Sequence, residues 1–181
     1  MSAALITPGP DFDQPIAALK HCHDRIRKQL QTLERLLQHL QQEGASVDAQ
    51  QAAEAVLRYF NQAAPAHHAD EEENLLPMLK STAADDDAAT LAAMMPVILD
   101  EHRQMEDCWQ RLQAQLEAVR KGEGSKLDAA DVKCFVELYT SHMEKEEGNI
   151  APMAKRLFSE EQMQQLGNAM RARRGIPCGD Q

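Results

Sequence analysis

One stretch of this sequence occurs twice. His67 to Lys80 reads HHADEEENLLPMLK and His142 to Lys155 reads HMEKEEGNIAPMAK, at a constant offset of 75 residues. Seven of the fourteen positions are identical: one His, two Glu, and the Asn, Pro, Met and Lys. Leu75 opposes Ile150 as well. The identities include a His and a Glu four residues apart. On a helix such residues stand about 40° apart around the axis and roughly 6 Å apart along it, so both side chains face the same way. Any fold of this chain must therefore present two His-x-x-x-Glu pairs, His67/Glu71 and His142/Glu146, in equivalent settings.

The surrounding residues favour helix. Ala, Leu, Gln, Glu, Arg and Met dominate, while Val, Ile, Thr and aromatic residues are sparse, so propensity points to an all-α chain. A length of 181 residues suits one domain with one sizeable core. Residues 1–14 read as a poorly ordered leader, 15–158 as a bundle, and 159–181 as a short C-terminal helix and tail. The first helix runs from about Pro15 to Glu43 and stops at Gly44. The second runs from about Val47 to Lys80, bent near Pro65 and Pro77. The third runs from about Ala88 to Lys121 and contains Pro96. Ser125 to Asp128 has the form of a capping box opening the fourth, which continues to about Phe158, and Ser159 to Gln162 forms another for the short last helix. Short connections between long helices predict an up-down-up-down four-helix bundle.

Each helix carries an apolar stripe broken at one level by ionisable groups. The first has Ile26, Leu30, Leu33, Leu37 and Leu40, and one step back lands on His23. The second has Val56, Phe60 and Ala63, then His67, Glu71 and Met78. The third has His102, Met105, Trp109, Leu112 and Leu116. The fourth has Val132, Phe135 and Tyr139, then His142, Glu146 and Met153. His23 and His102 occupy matching places 79 residues apart, so each half of the chain supplies a lone His and a His/Glu pair. Four imidazoles and two carboxylates in a bundle core are hard to satisfy by hydrogen bonds alone, and metal ions satisfy them directly. Nitrogen and oxygen donors without thiolate disfavour Cu(I) and structural zinc, and six donors with carboxylates able to bridge suit two iron or manganese ions.

With these residues in place the sequence resembles the hemerythrin-like proteins, also called the HHE cation-binding domain. Their pattern is a His on the first helix, H-x-x-x-E followed by a Leu-x-Pro type ending on the second, a His on the third and H-x-x-x-E on the fourth. The resemblance spans about Leu19 to Phe158. It implies a hemerythrin-like bundle holding a non-haem di-iron centre with an oxo or hydroxo bridge, iron being preferred to manganese or zinc. Residue by residue it carries over onto His23, His67, Glu71, His102, His142 and Glu146. Oxygen-carrying members have a further His on the third helix, four residues from the first. Here those positions are Ile98 and Glu106, which turns the expectation from oxygen carriage toward binding or sensing O2 or NO, or stress defence. Glu106 remains available as an occasional ligand. An enzyme with oxidase, peroxidase or nitric-oxide and iron-centre repair activity is the alternative, and a metal-stabilised interaction module the third. No dedicated nucleophile or base outside the ligands supports the enzyme.

Other residues divide by angle. His21, His39 and His68 point away from the centre and read as surface residues, His21 and His68 being the substitute ligands if the register shifts, and Glu72 and Glu147 suit a solvated face or a salt bridge. Asn74 and Asn149 lie near the ligand stripe, where an amide can hydrogen-bond a ligand or relieve a proline bend. Tyr139 can offer its phenol to a bound ligand or fill the core. Arg171, Arg173 and Arg174 make a basic end able to contact an acidic neighbour.

A formal charge of −10 argues against nucleic acid and anionic membrane surfaces as partners, leaving a diatomic gas, metals, another protein or a homo-oligomer. No apolar run spans a bilayer and the N-terminus lacks a secretory pattern, so a cytoplasmic protein is expected. Cys22, Cys108, Cys134 and Cys178 are scattered without C-x-x-C spacing, as buried or tail thiols in a reducing compartment are, with Cys178 exposed and oxidisable.

Overall fold

A computed structural model describes residues 11–177. The expectations for residues 1–10 of the leader and for Cys178 lie outside the described residues. α1 spans Pro15–Glu43, with Pro15 in its first turn where a missing N–H costs nothing. It ends at Gly44, whose φ of +69° is the left-handed turn that glycine adopts without a Cβ penalty. Ser46 then caps the next helix by accepting from the Ala49 N–H.

α2 is a continuous run of three α segments, Val47–Arg58, Ala64–Asp70 and Leu76–Thr82, joined by π turns at Tyr59–Ala63 and Glu71–Leu75. α3 spans Asp85–Arg120. α4 is Ala129–Lys145, a π turn at Glu146–Ile150, and Ala151–Leu157. α5 spans Glu160–Arg173 and opens on the expected capping box, with Ser159 and Gln162 bonded reciprocally. α1 packs on α2 and α4, α2 on α3, and α3 on α4, which closes the up-down-up-down bundle.

The three π turns share a cause. Each is followed by a residue and then a proline, at Ala64-Pro65, Leu76-Pro77 and Ala151-Pro152. Proline cannot donate to the carbonyl four residues back and its ring crowds that carbonyl. The residue before it then donates five back instead, from Ala64 to Tyr59, Leu76 to Glu71, and Ala151 to Glu146. Two of these turns begin at the repeated glutamates. Pro96 sits inside α3 without such a turn.

α4 opens at Ala129, not at Ser125. Asp128 accepts from both the Ala130 and Asp131 amides, so it is the cap and the chain before it is a loop. α3 starts three residues earlier than expected, with Asp85, Asp86 and Asp87 at its positive end.

Two apolar clusters fill the bundle. One gathers Ile26 to Leu40, Val56, Phe60, Trp109 to Val119, Phe135 and Tyr139. The other gathers Phe12, Ile16, Leu19, Leu75 to Leu79, Ile98, Ile150, Met153, Leu166 and Met170. α5 belongs to the second, and its Gly167 lies so close to the chain at Phe12 that a Cβ would stand 2.1 Å from the Phe12 carbonyl oxygen. The level between the clusters is where the ionisable residues meet.

Candidate metal centre

Apolar residues above and below seal His23, His67, Glu71, His102, His142 and Glu146 from solvent, and none is more than 5% exposed. All six predicted residues come together, in two overlapping groups. His23, His67, Glu71 and Glu146 form one, and Glu71, His102, His142 and Glu146 the other, each with donor atoms within 4.8 Å of one another.

The carboxylates belong to both groups. Glu71 Oε1 lies 3.2 Å from His67 Nε2, and Glu71 Oε2 lies 3.4 Å from His102 Nε2. Glu146 Oε2 lies 3.1 Å from His23 Nε2, and Glu146 Oε1 lies 3.2 Å from His142 Nε2. Each carboxylate thus spans the two imidazole pairs. The Nε2 atoms of His102 and His142 face each other at 3.1 Å.

These contacts are close but poorly directed. His23 Nε2, Glu71 Oε2 and both Glu146 oxygens are buried without a hydrogen-bond partner. Buried polar atoms rarely remain so. Four converging donors lacking partners are what a pair of cations would satisfy, and the nitrogen and carboxylate chemistry fits such ions.

The opposite ring nitrogens are held by a surrounding set of carboxylates. Glu147 Oε1 lies 3.0 Å from His23 Nδ1 while its two oxygens take both arms of Arg27 at 2.9 Å. Glu72 Oε1 lies 2.6 Å from His102 Nδ1. Glu101 Oε2 lies 3.0 Å from His142 Nδ1, and its other oxygen accepts from Lys145. His67 Nδ1 alone of the four is without a partner. A carboxylate on Nδ1–H fixes the tautomer that leaves Nε2 free to donate a lone pair.

Burial and the nearby Glu146 charge push the Glu71 carboxyl well above its usual range. Burial also acts against the Glu146 carboxylate, but the His142 and His23 imidazoles close beside it outweigh that and hold it well below. Burial, aided by His23, holds His67 well below the usual imidazole range.

Two cavities reach the site from different faces. One of about 510 Å³, mainly apolar, is lined by Ile16, Leu19, Leu75 and Ile150 and ends on His23, Glu71 and Glu146. The other, about 330 Å³, is lined by His68, Glu72, His102, Glu106, Trp109 and Tyr139.

Several expectations need correction. Glu72 is exposed and Glu147 part-buried, as a solvated face or a salt bridge requires, yet each also reaches the outer nitrogen of a lone His, a contact whose signal was their repetition at the common offset. The salt bridge expected of such residues is present at Glu147. His68 is no surface residue, since its ring stacks on His102 at 4.1 Å between centroids. The Asn residues hold no ligand: Asn149 donates to the Lys145 carbonyl and Asn74 accepts from Arg173. Glu101 was missed because no glutamate stands opposite it in the repeat. Glu106 is exposed and paired with Gln110, and His39 meets Ser46, away from the site. His21 is part-exposed and belongs to neither donor group. Buried Tyr139 places its hydroxyl 3.5 Å from His68 Nε2. The basic end does meet an acid: Arg173 and Arg174 both bind the fully buried Asp70, and Arg171 binds Asp13.

A helical bundle whose core presents two matched His/Glu groups has the build of a cation-binding protein. The family model described as the hemerythrin HHE cation binding domain matches residues 14–154, and the chain belongs to that family. A Haemophilus influenzae protein described as "Uncharacterized protein" is 27% identical over 165 residues, covering 91% of this chain and 92% of its own length. Among the described residues no helix is long and apolar enough to cross a membrane.

Proposed function

We propose that this protein is a cytoplasmic di-iron protein that binds O2 or NO, for sensing or for defence against oxidative or nitrosative stress. His23 and His67 would hold one ion and His102 and His142 the other, with the Glu71 and Glu146 carboxylates available to both. The observation that carries the reading is the double use of each carboxylate, one oxygen toward each imidazole pair, with four donor atoms left without hydrogen bonds. Iron in such a set supplies redox change and open coordination positions to a small ligand. The apolar cavity ending on His23, Glu71 and Glu146 suits entry of an uncharged diatomic molecule, and the ring of hydrophobic residues excludes bulk water.

Elemental analysis of protein purified without added metal tests the centre: about two irons per chain is expected, and one zinc or none refutes it. Anaerobically reduced protein should change its absorption on exposure to either gas, and no change with both would exclude the ligand assignment. The second reading, an oxidase, peroxidase or nitric-oxide and iron-centre repair enzyme, is favoured by the second cavity, where Tyr139 and His68 can bear protons beside His102. Turnover of peroxide or nitric oxide that vanishes in Glu71→Ala and persists in His39→Ala would establish it.

A further inference from the structure

Cys108 on α3 and Cys134 on α4 are far apart in sequence, yet their Sγ atoms meet at 3.6 Å. The two thiols differ in access: Cys108 is 6% exposed, while Cys134 is open to solvent. Arg111 Nη2 lies 3.2 Å from Cys108 Sγ. That guanidinium is anchored from both helices, by Asp131 Oδ1 on α4 at 3.0 Å and by the Asp107 carbonyl on α3 at 3.1 Å. Burial and the neighbouring thiol push the Cys108 thiol up, against the opposing charge of Arg111. Neither cysteine belongs to the metal centre. Cys108 lies six residues beyond His102, about 9 Å along the helix, and the rings of Trp109 and Phe135, each next to one of the cysteines, pack together at 5.7 Å.

From this arrangement we infer that Cys108 and Cys134 form a reversible dithiol–disulfide site whose substrate is a hydroperoxide reaching Cys134 from solvent. The Cys134 thiolate attacks the terminal oxygen of ROOH, the O–O bond breaks, and an alcohol (water for hydrogen peroxide) leaves with a proton. Cys108, giving up its proton, then attacks the sulfenic sulfur of Cys134. The S–O bond breaks, water leaves, and the S–S bond forms. Two thiols are oxidised, one hydroperoxide is reduced, and a dithiol reductant restores the starting state. The contact already made between the sulfurs makes the second step faster than further oxidation of Cys134. The disulfide ties α3 to α4 beside the single Trp, whose fluorescence a disulfide quenches.

The test uses the full chain, freed of metal by a chelator so that iron chemistry does not enter, in a Cys178→Ser background. Hydrogen peroxide at one equivalent should remove both thiols from the free count, yield a Cys108–Cys134 cross-linked peptide by mass spectrometry, and lower Trp109 fluorescence. Dithiothreitol should reverse all three changes. Cys134→Ser, a surface change, should abolish the cross-link and the quenching. Over-oxidation of Cys134 without a bridge, a bridge between two chains, or the same quenching in Cys134→Ser would each overturn the proposal. These outcomes are independent of whether the metal centre holds iron.

Discussion

The two halves of the candidate centre have the same inner residues and different surroundings. His142 on α4 has Glu101 against its outer nitrogen, and Glu101 is held by Lys145. At the equivalent places of the other half, Cys22 stands where Glu101 does and Asp70 where Lys145 does. Asp70 turns outward, to Arg173 and Arg174 of α5, and the outer nitrogen of His67 has no partner. One half therefore uses its outer charges to brace an imidazole, and the other uses them to fasten a helix. The lone histidines repeat the contrast more weakly: Glu72 serves His102 alone, whereas Glu147 divides itself between His23 and Arg27. A braced imidazole is the better donor, so in the proposed centre the position at His102 and His142 should bind an ion the more tightly.

The largest effects come from the residues that ignore the difference. Glu71→Ala and Glu146→Ala should each reduce the metal content for both positions, because each carboxylate serves both. Loss of one ion alone from either variant, counted by elemental analysis, would show that the carboxylates do not bridge. Next come the residues that fasten α5. Replacing Arg173 and Arg174 together by Ala strands the fully buried Asp70 carboxylate and should cost roughly 3–5 kcal/mol of stability. A urea midpoint within error of wild type would show that α5 is not held by this pair. Glu101→Ala should weaken metal binding at the second position about 10–100-fold, as loss of a carboxylate behind a ligating imidazole does. Cys22→Ala should leave binding nearly unchanged. Equal effects in a competitive chelator titration would mean that the asymmetry has no consequence.

The inner residues were legible in the sequence because helix geometry makes periodicity informative: His23, His67, Glu71, His102, His142 and Glu146 each continue an apolar stripe, and the repeat tied two of the pairs together. Helix limits followed from Pro15, Gly44 and Ser159, whose backbone and capping preferences are local. What was not legible depends on neighbours from other helices or on departures from α geometry. Glu72 and Glu147 lie outward on their own helices, and each meets a lone His only because α3 or α1 packs alongside, while the π turns before Pro77 and Pro152 are departures from α geometry that a period of 3.6 does not carry. Glu101 carries no local mark, since its role exists only when α4 lies beside α3. Likewise Cys108 and Cys134 have no motif spacing, and their contact is a product of packing.

The smallest predicted effect is the most direct probe of the contrast between halves, because His67 and His142 respond oppositely to pH in metal-free protein. Burial holds His67 below its ordinary range. Its contribution to stability is present above the unfolded imidazole value, about 6.5, and is lost as pH falls toward the lower folded value. Burial also acts on His142, but the carboxylates of Glu146 and Glu101 outweigh it and raise that group. Its contribution is present below the unfolded value and is lost as pH rises through the higher folded one. With metal removed, His67→Gln should therefore lessen the destabilisation seen on acidifying from about pH 8 to about pH 5.5, and His142→Gln should deepen it, each by on the order of 1 kcal/mol. Urea midpoints measured across that range decide the matter. If both variants move the pH slope in the same direction, Glu101 does not distinguish the two histidines. If they diverge as expected and Glu101→Ala brings His142 toward the behaviour of His67, the difference between the halves reduces to one carboxylate.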